Sequence, residues 1–207
     1  MTIAVIAANG RSGSAFVEAA LKAGHKVRAG VRRHSNLADH PNLEVLKCDA
    51  TNPQEVNELI KGSDVVISFI GHVRGSEADV QSRAIQNIID VMKNLNIQRV
   101  ISLTGTGVRF PGDKITLIDR FLNFGISIVD PKRINDGKKH VEILKNSSLD
   151  WTILRVLKLQ NIKPKTFKLT ESGPTKTLVG RREVALAVLQ IVEESSFVRK
   201  APMLSKI

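Results

Sequence analysis

Seven residues near the N-terminus, Ala7-Ala8-Asn9-Gly10-Arg11-Ser12-Gly13, have the types and spacing to hold a phosphate. They follow a short apolar β-type run, Ile3 to Ala7, and lead into an amphipathic helix expected over 12–23. A strand–turn–helix of this kind aims free N–H groups and the positive end of the helix dipole at an anion. In a dinucleotide site the second glycine admits the pyrophosphate and the third lets the helix pack on the strand. Gly10 and Gly13 suit those roles, with Arg11 and Ser12 between them, while Ala7 stands where a first glycine is expected. An ordinary tight turn is the competing reading.

A second constellation follows about 20 residues later, where an NAD site carries an Asp or Glu on the ribose 2′-hydroxyl. Here the chain reads Val31-Arg32-Arg33-His34-Ser35, and the next carboxylate is Asp39. A carboxylate would repel a 2′-phosphate, whereas a guanidinium can clamp one through two hydrogen bonds. NADP(H) is therefore favoured over NAD(H), with Arg32 as the first choice and Arg33 as the second. Arg11 could reach the same phosphate. The alternative is that these arginines are ordinary surface charges.

Such residues need a sheet to position them. Strands are expected at Val27 to Val31, Leu43 to Lys47, Asp64 to Gly71, Arg99 to Thr104 and Trp151 to Val156, with a short one at Thr166 to Leu169. Helical spacing appears from Asn52 to Ile60, Glu77 to Asn96, over 113–129, from Lys132 to Lys145 and from Arg182 to Glu194. Strands alternating with helices imply right-handed βαβ units. The expected fold is α/β: a single-domain, Rossmann-like, doubly wound parallel sheet with helices on both faces. Residues 1–207 would form that one domain, with about 157–207 making a small C-terminal extension on the substrate side.

Composition excludes several functions. With 207 residues and 42% hydrophobic content, the chain can bury a core. Its single cysteine, Cys48, forms no internal disulfide, and no Cys/His cluster has metal-ligand spacing, so no metal site is expected. There is no basic leader and no apolar stretch of membrane-spanning length, so a cytoplasmic protein without a membrane partner is expected. The net charge of +11 is uneven: residues 1–103 hold 12 basic and 10 acidic residues, against 19 and 10 in 104–207. Aromatic residues make up only 4%, too few for nucleic-acid stacking platforms, so no nucleic acid is expected. The excess is either solvated surface charge or a preference for an anionic small molecule. There is no tyrosine anywhere.

The chain resembles the atypical short-chain dehydrogenase/reductases, and within them the compact NAD(P)H-binding group. That group includes NmrA-like proteins, flavin reductases of the biliverdin reductase B type and bacterial NADH-flavin reductases. The likeness is carried by Ala7 to Gly13, Gly24 to Arg28, Val31 to Arg33, Cys48-Asp49-Ala50, Asp64 to Gly71, Arg99 to Val108, Leu149 to Arg155 and Arg181 to Ala185. It implies that Asp49 and Ala50 meet the adenine, that Ile70, Gly71 and His72 line the adenosine ribose and phosphates, and that Leu103 and Thr104 face the nicotinamide. Strand six normally ends in Arg-Pro in this group. Here it reads Arg155-Val156-Leu157, an altered cap.

Short-chain dehydrogenases use a Tyr, with a Lys four residues later that lowers its pKa. The resemblance places Lys139 at the Lys position, which puts Asn135 where the Tyr would be. Alcohol oxidation by a phenol is therefore excluded. Thr104 or Ser102 could replace the usual serine, and His72 or His140 could donate a proton. Reduction of a flavin, quinone or similar conjugated acceptor needs less from the protein, because hydride enters a delocalised centre. The expected function is NADPH-dependent reduction of such an acceptor, with Thr104 and Lys139 near the nicotinamide. The alternative is an NADP(H)-binding redox sensor without turnover.

Overall fold

Successive residues of the first strand face opposite ways. Ile3 and Val5 enter one apolar layer, Ala4 and Ile6 the other, and all four are at most 1% exposed. A strand buried on both faces must be central in a sheet covered by helices on each side. The computed structural model describes every residue except Arg74, Thr177, Lys206 and Ile207. In chain order its elements are β1 (Thr2–Ile6), α1 (Arg11–Lys22), β2 (Lys26–Val31), β3 (Leu43–Lys47), α2 (Pro53–Ile60), β4 (Val65–Ser68), α3 (Val80–Asn94) and β5 (Arg99–Gly105). There follow α4 (Leu117–Val129), α5 (Pro131–Lys145), β6 (Asp150–Val156), β7 (Lys158–Gln160), β8 (Lys168–Thr170), β9 (Leu178–Gly180), α6 (Arg181–Glu193) and β10 (Met203–Ser205).

The main sheet has the order β3-β2-β1-β4-β5-β6-β10-β8 and is parallel except for β8, which runs against β10. Strand order reverses between β1 and β4, opening a crevice at their C-terminal ends. One apolar layer joins α1 and α6 to the sheet through Phe16, Val17, Ala20, Val184, Val188 and Ile191. The other joins α2, α3 and α5 through Leu59, Ile85, Ile88, Val141 and Leu144. This is the doubly wound, Rossmann-like α/β architecture that the strand–helix alternation implies.

Three differences from the sequence reading matter. β7, β9 and β10 have three residues each, too short to carry a periodic signal. The expected C-terminal extension is divided: Leu157, Lys158 and Leu159 line the crevice, but β8 and β10 extend the main sheet and α6 belongs to one of its layers. Finally, α3 begins at Val80 rather than Glu77 because its N-terminus is capped from another helix. Asp136 on α5 accepts from the Gln81 N–H at 2.8 Å and the Ser82 N–H at 3.0 Å.

Candidate functional site

At the end of β1 the chain turns sharply. Ala7 sits in the left-handed region with φ of 59°, where an L-residue costs about 1–2 kcal/mol. Its carbonyl accepts from the Gly10 N–H at 3.0 Å, and the Gly10 carbonyl accepts from the Ser14 N–H at 2.8 Å to begin α1. No side chain caps α1 and no acid lies in its first turn, so its N-terminal N–H groups stay available. Gly13 is the packing glycine: a Cβ there would stand 2.4 Å from the Ala7 carbonyl oxygen. Asn9 braces the turn, with its Nδ2–H donating to the His34 carbonyl at 2.9 Å and its Oδ1 accepting from the Asn36 N–H at 2.9 Å. That brace holds the loop carrying Arg32 and Arg33 against the glycine turn.

A cavity of about 820 Å³ opens over this turn and runs across the C-terminal ends of β1, β4, β5 and β6. Gly10, Arg11, Ser12, Gly13, Arg32, Arg33, Asp49, Ala50, Ile70, Gly71, His72, Leu103 and Thr104 all line it. Arg32 and Arg33 make no ion pair with a described residue. Asp49 accepts from the Thr51 N–H at 2.9 Å and the Thr51 hydroxyl at 2.8 Å. Those bonds, the backbone one foremost, hold its carboxyl below the usual carboxylate range, with Arg32 nearby adding to the effect. Cys48 also lines the cavity, but burial pushes its thiol up to about 12, so it is no nucleophile at neutral pH.

At the far end of the cavity the structure corrects the reading of α5. Lys139 lies on the exposed face of that helix and does not line the cavity. The face that does carries Arg133, Ile134 and Gly137, so the two cavity positions four residues apart are Arg133 and Gly137. A Cβ on Gly137 would stand 3.2 Å from Thr104 Oγ1, so α5 approaches β5 closely there. Of the two hydroxyl candidates, Thr104 lines the cavity. Ser102 is buried against His140, Oγ to Nε2 at 2.8 Å.

The two histidines separate in the same way. His140 is fully enclosed and does not line the cavity, and desolvation lowers its pKa to about 4, so it is neutral. His72 lines the cavity, and its Nε2 is 2.8 Å from Asp136 Oδ2. Burial works against the charged form of Asp136, yet hydrogen bonds from Ser82, Gln81 and His72 leave its carboxyl below the usual range. An ionised carboxylate only accepts, so His72 Nε2 is the donor. The orienting partner not evident in sequence is thus a carboxylate 64 residues away.

Comparison with known proteins agrees with this geometry. A family model described as NAD(P)H-binding matches residues 7–195. The chain belongs to this NAD(P)H-binding family. An uncharacterised Bacillus subtilis protein, YwnB, is 27% identical over 155 residues, covering 74% of this chain and 70% of that one. A Veillonella parvula short-chain dehydrogenase/reductase, solved in complex with NADP, superposes with a TM-score of 0.83 at 19% identity, covering 99% of this chain and 94% of that one. ChuY, an anaerobillin reductase from Escherichia coli O157:H7, gives a TM-score of 0.79 at 18% identity, covering 99% and 97%. These structures share the fold.

Several cavity residues of this NAD(P)H-binding chain have no counterpart in the sequence reading. Gln81 donates from Nε2 to the Ile70 carbonyl at 2.8 Å and so fixes the loop after β4. Leu122, Asn123 and Ile126 bring α4 over the cavity as a wall. Arg133, Lys158 and Arg181 add positive charge to the cavity lining, Arg181 on the side of Arg11 and the glycine turn, and none of the three is paired with a carboxylate among the described residues. A Lys–Arg-rich second half was the signal available in sequence. It gave the sign of the charge without saying which side chains reach the crevice.

Proposed function

We propose that this protein is an NADPH-dependent reductase of conjugated, anionic small-molecule acceptors. The observation that carries the reading is one cavity whose lining cations have no carboxylate partner among the described residues, with Arg32 and Arg33 on the loop after β2 and Arg133 on α5. Arg32 and Arg33 suit a 2′-phosphate beside the uncapped N-terminus of α1, where Arg181 and Arg11 add positive charge, while Arg133, on the α5 face that approaches Thr104, suits an acidic acceptor. The solved relatives include one with NADP bound and one that is an anaerobillin reductase, which supports the same class.

NADPH would supply the hydride. Gly10, Ser12 and Gly13 would bind its pyrophosphate through backbone N–H groups, Asp49 and Ala50 would border the adenine, and Leu103 and Thr104 would back the nicotinamide. His72 would deliver the proton from Nδ1 while Asp136 holds Nε2–H, an arrangement that serves general acid catalysis without tyrosine. NADPH consumption with flavin mononucleotide, quinones and a dichlorophenol dye should reveal a productive acceptor. Tight NADPH binding without turnover across that panel would favour the redox sensor instead.

Two substitutions test the assignments. Arg32→Ala should weaken NADPH by about 10–100-fold, since a hydrogen bond to a charged group contributes about 1.5–3 kcal/mol, and should change NADH little. Equal losses in a fluorescence titration would show that Arg32 does not read the phosphate. His72→Gln should lower kcat by about 10²-fold or more, a far larger change than any in NADPH affinity. An unaltered kcat would remove His72 from the mechanism.

A further inference from the structure

The polarity of α4 is inverted. Its one buried residue is Asp119, which accepts from the Thr106 hydroxyl at 2.7 Å and from Asn123 Nδ2 at 2.7 Å and pairs with Arg109. Leu122, Asn123 and Ile126, on the same side, look into the cavity. The opposite side carries Leu117, Phe121, Phe124 and Ile128 at helical spacing, 64–82% exposed, with Val129 beside them at 85%. A polar clamp therefore holds the helix down, and its large apolar side chains face water.

The surroundings of this face are cationic. Lys114 and Arg120 are exposed next to it, and the following α5 exposes Lys132, Lys138 and Lys139; none of the five forms an ion pair among the described residues. Between residues 109 and 145 the one exposed carboxylate is that of Glu142. Phenylalanine and leucine on one stripe, with Lys and Arg at its margins, suit a helix that lies in a lipid interface.

We propose that the outer face of α4 docks on an anionic lipid surface. No helix among the described residues is long and apolar enough to cross a membrane. Spanning length, the property weighed in the sequence, does not bear on a helix lying flat. A second copy of the chain fits less well. A 13-residue helix is about 20 Å long, so its single stripe falls well short of the roughly 800 Å² per partner of a stable dimer. Pairing two such faces would also bring the lysines of two α5 helices together. Because the inner side of α4 walls the cavity, docking would set that wall against the lipid. Docking of this kind requires no turnover.

Vesicle co-sedimentation tests the assignment, using phosphatidylglycerol mixed with phosphatidylcholine against phosphatidylcholine alone, with sedimentation velocity run in parallel. The wild-type chain should bind the anionic vesicles, lose most of that binding at about 1 M salt where screening is short-ranged, and remain a monomer in solution. Phe121→Asp/Phe124→Asp should reduce the bound fraction by roughly tenfold, and Lys132→Glu/Lys138→Glu should do the same without touching the apolar stripe. Both variants alter exposed side chains, so unchanged thermal midpoints should show that they fold. Three results would each overturn the proposal: equal binding to neutral vesicles, no vesicle binding by the wild type, or a wild-type dimer that the phenylalanine variant dissociates.

Discussion

Asp113→Ala is expected to destabilise the protein by about 3–5 kcal/mol, the usual loss when one partner of a buried ion pair is removed. Arg155 on β6 is 0% exposed, and its guanidinium meets Asp113 through two bonds, of 2.5 and 2.8 Å. It also donates to the carbonyls of Ala201 at 2.7 Å and Glu171 at 3.0 Å, and stacks over Phe110 with 4.6 Å to the ring centroid. One side chain thus ties β6 to the loop before β10, to the segment after β8 and to the loop after β5. Without Asp113, a cation that cannot lose its proton stays enclosed with carbonyls as its main partners. The thermal midpoint should fall by roughly 6–20 °C at this chain length. The double variant Arg155→Met/Asp113→Leu should recover much of the loss, because it removes the buried charge altogether. A loss below about 1 kcal/mol for Asp113→Ala would mean that the pair is hydrated and structurally minor.

The role of Arg155 shows what the sequence could and could not disclose. In the sequence Arg155 stands only as the first residue of an altered strand cap. Its partners lie 16 to 46 residues away, and no local pattern announces them. The same holds for His72 and Asp136, whose contact depends on how α5 packs across the end of α3. By contrast, β1, β4, β5 and β6 were readable because strands buried on both faces are near-continuous apolar runs, and the glycine turn was readable because strand, turn and helix are adjacent in the chain.

Lys139 is a different case, because the correcting signal was in the sequence. Gly137, His140, Val141 and Leu144 form one helical stripe, and all are buried. Lys139 falls opposite that stripe, so helical spacing alone places it in solvent. The resemblance to the short-chain dehydrogenases places Lys139 at the Lys position against that periodicity. Once the register follows the stripe, the cavity positions become Arg133 and Gly137. The missing tyrosine is then replaced by a cation and a gap, which suits an acidic acceptor better than an alcohol.

Gly13→Ala is expected to disable the phosphate site. The added Cβ would lie 2.4 Å from the Ala7 carbonyl oxygen, 2.9 Å from that of Ala8 and 3.0 Å from the Ala8 carbonyl carbon. All three are backbone atoms, so no rotamer change can make room. Ala7 is already in the left-handed region and its carbonyl is engaged by Gly10, so the turn has little freedom to yield. Relief must come from moving α1 off β1, which disturbs the packing of Phe16 and Val17 and withdraws the N–H groups from the phosphate. Overpacking of this kind costs about 1–3 kcal/mol and sometimes more, and a backbone clash belongs at the upper end. NADPH affinity should fall by about 10²-fold, corresponding to roughly 3 kcal/mol of lost phosphate contacts. Gly10→Ala provides the internal comparison: its Cβ would meet the Ala7 oxygen at 3.1 Å, a contact that small shifts can absorb, so stability should change far less. Equal denaturation midpoints for the two variants, with NADPH bound as tightly as by the wild type, would show that α1 does not depend on this close approach.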